Sequence, residues 1–411
     1  MAFPMHWKFS RSALLFLLTS FTFGMGAAQL YLYLNFYLVA LEVPPHLQGL
    51  INALPSLAFI VTALPGAVLS SRIGLTRTLQ LGGLLTFLGL LGIALSTSTL
   101  SIALSVLLEG AGAALIGVAS APFMTRHSND NTRVSLFSLQ LALVTGAGFL
   151  GNLLGGLIPQ LYADAVGVPV QSVAAVRVAL LCGAVFQLLS LIPTLFMVSA
   201  RGEKPLTRHS RLEQPGKVLV FILPTLLLGL GAGLTIPYIN LFIEGKFGVS
   251  YSSLGALFAW TSLTTAAAAL IQPKLVQKFG EVRTVLLVQG ASLPFLAILG
   301  FSPSLLLVSS SLFIRGALAN AASPVYSAYT MRQLSEADRG IFAALSPMAW
   351  SGAFALSNLL SGWIRSRLPF SSAFDLLFTL TLLFYVASVG TLFWALERGK
   401  FGQKRVEEQT L

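Results

Sequence analysis

Between Ser12 and Leu396 the chain repeats one pattern, a long apolar run followed by a short polar break. The runs lie near residues 11–40, 47–70, 76–96, 99–122, 132–161, 173–199, 217–244, 250–275, 282–301, 304–330, 338–366 and 371–396. Each reaches about the 20 residues that carry an α-helix across a hydrocarbon core roughly 30 Å thick. Inside a bilayer the backbone must satisfy its own polar groups, and barrel strands would be about half as long with alternating polarity. The pattern therefore predicts an all-α polytopic membrane protein with twelve transmembrane helices. The first run exceeds a signal-peptide core, lacks a convincing small-residue cleavage site and leads straight into further spans, so it is expected to be retained.

Composition narrows the class. Of 411 residues, 55% are hydrophobic and 9% charged, with a mean hydropathy of +0.82, far from the makeup of soluble domains. A net charge of +11 would suit nucleic acid if the basic residues gathered on one folded face. They do not. Twenty of the 25 Lys and Arg residues fall at the N-terminus, in the even-numbered connections (Arg72 and Arg77; Arg126 and Arg133; Arg201 to Lys217; Lys274 to Arg283; Arg332 and Arg339) or in the tail. Basic residues collect on the cytoplasmic side, so a multi-pass protein of the cell (inner) membrane is expected, with both termini cytoplasmic and no nucleic-acid partner. The single cysteine, Cys182, excludes an internal disulfide framework and is expected to pack within the sixth span.

Sliding the chain against itself by 206 positions exposes an internal repeat. "SRIGLTRT" at 71–78 falls on "QKFGEVRT" at 277–284, Glu109-Gly110-Ala111 on Arg315-Gly316-Ala317, Arg126 on Arg332, the stretch Asp130 to Arg133 on Glu336 to Arg339, and "GNLLGG" at 151–156 on "SNLLSG" at 357–362. At a shift of 205, "GMGAA" at 24–28 meets "GLGAG" at 229–233, and Tyr33 and Asn35 meet Tyr238 and Asn240. The expected organisation is an N-terminal six-helix half at 1–199, a cytoplasmic linker at 200–216, a C-terminal six-helix half at 217–396 and a cytoplasmic tail at 397–411. An even number of helices brings each half in and out on the same side. That is the parallel-repeat arrangement of secondary transporters, with a substrate site near midplane.

On these features the chain resembles the major facilitator superfamily over nearly its whole length. The family's turn between its second and third helices reads G-x-x-x-D-R-x-G-x-R-R, and Arg72, Gly74 and Arg77 stand at its first arginine, second glycine and final arginine. Ala67, Ser71 and Thr76 depart from it, and Gln277, Lys278, Gly280 and Arg283 hold the equivalent places in the second copy. The resemblance implies a cytoplasmic latch that holds the two halves in one of two alternating states; anchoring at a phosphate-rich surface is the alternative for each arginine alone. Ala147, Gly151 and Gly155 recur every four residues, as do Ala353, Ser357 and Ser361, a spacing that lets helices approach closely. The fifth span also resembles the G-P-x-x-G-G of the family's antiporters, with Asn152 in place of the proline.

Enzymatic readings fail on context. "GAGFLG" at 146–151 matches a dinucleotide fingerprint but lies inside an apolar run with no preceding strand. His6, His46, His127 and His209 all fall outside span centres, and neither H-E-x-x-H nor a G-K-[ST] phosphate loop is present. No enzyme activity, cofactor or metal is expected.

Two charges stand near span centres at equivalent places of the repeat, Glu109 in the fourth and Arg315 in the tenth. Unpaired in lipid, either would cost several kcal/mol. In the family, helices one, four, seven and ten line the cavity, which implies that the two residues face each other or the substrate, with Glu109 as a proton carrier; a static ion pair between the halves is the alternative. Polar and aromatic candidates for substrate contact are Gln29, Tyr33, Asn35 and Tyr37 in the first span, Tyr238, Asn240 and Phe242 in the seventh, and Tyr326, Tyr329 and Trp350 beyond them. Packing and interface anchoring are the other readings of such aromatic stripes. A wall of this kind suits an amphipathic or lipophilic solute better than a sugar, and the acidic and basic signature of the family's sugar porters is absent from "VSARGEK". The expected function is proton-coupled export of lipophilic or amphipathic small molecules by a monomer in the bilayer. A carrier for an amphipathic organic anion or lysolipid, with Arg315 holding the charged group, is the alternative, and a membrane receptor or scaffold is the reading from another class.

Overall fold

The computed structural model describes residues 9–129, 132–198 and 212–409. His6, Asp130, His209 and most of the linker expected at 200–216 lie outside them. The elements are α1 (Arg11–Ala40), α2 (Pro45–Ile73), α3 (Leu75–Leu95), α4 (Thr99–Arg126), α5 (Arg133–Val166), α6 (Val173–Leu195), α7 (Pro215–Thr235), α8 (Ile239–Phe247), α9 (Tyr251–Phe279), α10 (Glu281–Phe301), α11 (Leu305–Gln333), α12 (Glu336–Arg367) and α13 (Phe370–Gln409). Among the described residues there is no strand. With α7 and α8 counted together, the helices follow the twelve apolar runs in order, and ten of them are both long and apolar enough to cross a membrane.

Local chemistry sets the ends. Ser10, Ser98, Ser172, Ser304 and Ser335 each accept the N–H three residues on, capping α1, α4, α6, α11 and α12. Pro45 and Pro215 start α2 and α7, where a missing N–H costs nothing. The seventh run is not one continuous helix. A 3₁₀ turn, Ile236–Tyr238, separates α7 from α8. Pro237 has no N–H for the carbonyl four residues earlier, so the α-helical ladder breaks there.

The chain divides into two compact units, one of residues 9–198 with Gly248–Leu263, the other of residues 212–247 with Thr264 onwards. In the first, the small-residue face of α5 lies directly on α1. A Cβ at Gly24 would come 2.8 Å from the carbonyl oxygen of Val144 and 2.9 Å from the Cβ of Ala147, and one at Gly151 would come 2.7 Å from the Met25 oxygen. The second unit repeats this with α12 on α7: a Cβ at Gly229 would meet the Trp350 oxygen at 2.9 Å, and Ser361 donates to the Leu234 carbonyl at 2.8 Å. The opposite edge of α5 receives the first half of α9, where Ser252 donates to the Gly156 carbonyl at 3.1 Å and a Cβ at Gly255 would lie 2.6 Å from Gly156 Cα.

The repeated basic turn has the same backbone in both copies. Gly74, between α2 and α3, has φ 93° and ψ 157°, and Gly280, before α10, has φ 76° and ψ 165°, a region essentially restricted to glycine. Four residues on, Thr78 and Thr284 donate to the glycine carbonyls at 2.9 and 2.7 Å. Gly74→Ala and Gly280→Ala are each expected to destabilise the protein by about 1–3 kcal/mol in unfolding measured in detergent. Gly146→Ala, in open space within α5, should be neutral or stabilising by up to about 1 kcal/mol.

Candidate functional site

In the first unit Glu109 sits on α4 at 8% exposure. Gly89 of α3 makes room for it, since a Cβ there would lie 2.6 Å from that of Glu109. Among the described residues of its own unit the carboxylate makes no hydrogen bond or ion pair. Tyr31 of α1 is 81% exposed.

The α1 candidates do not form one cluster. Gln29 is sealed between α1 and α6, donating weakly to the Cys182 sulfur at 3.7 Å while its Oε1 lacks a partner. Cys182 thus does more than fill space. Tyr33 is fully buried edge-on to Tyr251 at 5.7 Å, with a hydroxyl that has no partner. Asn35 accepts from Asn52 at 2.8 Å. Tyr37 closes the end of α3, donating to the Ser96 carbonyl at 2.7 Å and accepting from Arg177 Nη2 at 3.2 Å.

In the second unit Arg315 of α11 is 5% exposed. Its Nη2 donates to the Tyr385 hydroxyl at 3.2 Å, its Cζ lies 5.5 Å from that ring centre, and its Nε has no acceptor. Tyr238 donates to Asn358 Oδ1 at 2.9 Å, and Arg365 lies over its ring at 3.9 Å. Asn240 turns its Oδ1 to the Leu241 N–H at 2.9 Å. Phe242 packs between Phe374 and Phe378 at 5.1 and 4.7 Å. Tyr326 donates to the Phe221 carbonyl at 2.7 Å and Tyr329 stands edge-on to the Phe221 ring at 6.4 Å, both inside the core built on Val218 and Val285. Trp350, stacked on Phe354 at 6.2 Å, is 36% exposed. Among the described residues no hydrogen bond or ring contact joins Arg315 to Tyr238, Phe242, Tyr326, Tyr329 or Trp350. Sequence reasoning missed Arg177, Arg365 and Tyr385; the first two were visible as charges inside apolar runs, the third carried no signal.

At the turns, Arg72, Arg77, Gln277, Lys278 and Arg283 are exposed, and Ser71 is turned back to the Val68 carbonyl at 2.7 Å. The second copy adds an ion pair, Glu281 with Arg332. Leu75 stands at the position of Glu281 in the first copy and is buried, so the pair is not repeated; exposed as it is, it is worth about 0–1 kcal/mol. Among the described residues no three His, Cys, Asp or Glu side chains gather as metal ligands.

A sequence model for the Major Facilitator Superfamily matches residues 12–224 and again residues 221–410. Among solved structures the chain is similar to the nucleoside transporter NupG, with a TM-score of 0.72 and 14% identity over 94% of this chain and 98% of that one. It is also similar to a bacterial homologue of the human lysosomal transporter Spinster, inward-facing and unoccupied, with a TM-score of 0.74 and 14% identity over 93% and 96%. A third similar structure is a D-xylose–proton symporter, with a TM-score of 0.70 and 16% identity over 91% and 96%. At these identities the likeness is one of fold. No curated protein matches the sequence.

The two repeat-related tyrosines are expected to respond differently to loss of their hydroxyls. Tyr238→Phe leaves Asn358 Oδ1 without its donor and should cost about 1–3 kcal/mol. Tyr33→Phe removes a hydroxyl that is already unpaired, and should be neutral or stabilising in the same thermal unfolding assay.

Proposed function

The chain belongs to the major facilitator superfamily, and from that premise we propose that it is a proton-coupled secondary transporter exporting lipophilic or amphipathic small molecules by alternating access. The observation that carries this reading is Glu109. A carboxylate at mid-span, on a residue 8% exposed and with no partner among the described residues of its unit, can be relieved by a proton, and a group that gains and loses a proton as water reaches it from one side and then the other can couple transport to a proton gradient. Tyr31, exposed on α1, offers an aromatic face to an apolar solute. The moving bodies are the two six-helix halves, 1–199 and 217–396, in a monomer of the inner membrane with both termini cytoplasmic. Of the aromatic candidates, Trp350 is the one left most accessible by its own unit; Tyr37, Phe242, Tyr326 and Tyr329 are buried within their own units.

A second reading, a carrier for an amphipathic organic anion or lysolipid, is favoured by Arg315. A guanidinium cannot shed its charge as a carboxylate can, and its buried Nε has no acceptor.

Glu109→Gln keeps volume and removes the titratable proton. In proteoliposomes it is expected to abolish uphill transport of an amphipathic dye driven by a pH gradient while sparing downhill exchange; equal gradient-driven transport by both proteins would sink the coupling role. The turns at 71–78 and 277–284 are assigned to biasing the alternating states. Arg77→Ala should accordingly change turnover while substrate affinity, followed by calorimetry, moves by less than about tenfold, roughly 1.4 kcal/mol.

A further inference from the structure

Tyr385 is held in place from two sides. Its ring fills the space left by Gly231 of α7, where a Cβ would come 2.6 Å from the ring carbons. One turn earlier on α13, Thr381 donates to the Gly231 carbonyl at 3.1 Å, which fixes the helix against α7. The phenol oxygen accepts from Arg315 Nη2 at 3.2 Å. A phenol that accepts from a guanidinium keeps its own O–H to donate, and among the described residues the Tyr385 hydroxyl donates to no acceptor. Beside it, Arg315 Nε–H is also without an acceptor. Nε and Nη2 share one edge of the guanidinium, so two unused donors lie side by side on residues only 5% and 6% exposed. Among the described residues no hydrogen bond or ion pair joins either of them to an acidic side chain of the unit. Asp338 accepts the Glu213 and Gln214 N–H groups at 2.9 and 3.0 Å, Glu281 pairs with Arg332, and Asp375 accepts from Ser371 at 3.4 Å.

We propose that Arg315 and Tyr385 form a two-donor subsite for an oxyanion on the substrate, a carboxylate or phosphate group, and that Tyr385 is the residue that selects a charged head group over a neutral one. The proposal rests on the anion-carrier reading and adds to it a second donor and a ligand chemistry. One oxygen of the anion meets Nε–H and another meets the Tyr385 O–H, a match that the planar guanidinium edge favours for carboxylate and phosphate alike. A neutral alcohol brings one oxygen and leaves a buried donor unpaired. That penalty is what discriminates between them.

The test is thermal unfolding of the full-length protein in uncharged-lipid nanodiscs with decanoate, decyl phosphate, decanol or inorganic phosphate. Decanoate and decyl phosphate are expected to raise Tm in a concentration-dependent way while decanol does not. Tyr385→Phe, which keeps the ring against Gly231, should weaken decanoate about tenfold and leave the response to decanol unchanged. Equal responses of the unaltered protein to decanoate and decanol would overturn the subsite whether or not any variant folds. Unchanged decanoate binding in Tyr385→Phe with loss in Arg315→Gln would overturn the role of Tyr385 and leave the anion reading standing; a protein that binds no anion at all removes that reading itself. Stabilisation by inorganic phosphate alone would keep the oxyanion subsite and identify a free ion, in place of an amphiphile head group, as its occupant.

Discussion

Hydrocarbon offers no hydrogen bonds, so a polar atom carried into it must find its partner within the protein. Most of this structure follows from that requirement. The backbone answers it by remaining helical, and hydroxyls in mid-helix turn back to their own chain, as Thr22 does to Leu18, Thr145 to Leu141 and Ser309 to Leu305. Larger groups find cross-helix partners, Tyr37 at the end of α3 and Tyr326 on the Phe221 carbonyl. Against that background the atoms that remain unsatisfied stand out. At equivalent places of the repeat, Arg315 Nε has no acceptor, and Glu109 makes no hydrogen bond or ion pair among the described residues.

Helix contact obeys a second rule, because lipid tails are as apolar as leucine and association gains little from hydrophobicity alone. Small residues supply the contact. Gly24 and Gly151 between α1 and α5, and Gly229 with Ser361 between α7 and α12, bring backbones close enough that a single added methyl would collide with a carbonyl or a neighbouring Cβ. The two units reached the same packing with different side chains, glycine in one and serine in the other, so the duplication is preserved in geometry more than in sequence. The polar detail has diverged further. Tyr238 bonds Asn358, whereas Tyr33 has no partner and Asn152 turns to Ser262 at 3.4 Å.

Span positions, the repeat and the glycine of the basic turn were legible in the sequence because each rests on local rules: apolar length, matched spacing, and a backbone conformation that only glycine adopts. The small-residue faces at 147–155 and 353–361 were legible for the same reason. The break at Ile236–Tyr238 was not, since Pro237 lies within an uninterrupted apolar run whose hydropathy hides it. Nor could spacing say which of the tyrosines would be spoken for. Periodicity assigns a face to Tyr37 or Tyr326, but the carbonyl each one meets lies on another helix, at separations of 59 and 105 residues. Tyr385 is the extreme case, one more aromatic in an aromatic-rich run until the fold places it against Arg315.

The buried guanidinium has an electrical consequence as well. A guanidinium is a fixed positive charge, so a rearrangement that moved the boundary of the aqueous phase past Arg315 would carry that charge through part of the membrane voltage. A full passage corresponds to about 2.3 kcal/mol per 100 mV, and a partial one to a fraction of that. A carboxylic acid can leave the field by taking up a proton, whereas a guanidinium cannot. An energised membrane would then act on this chain through one fixed residue.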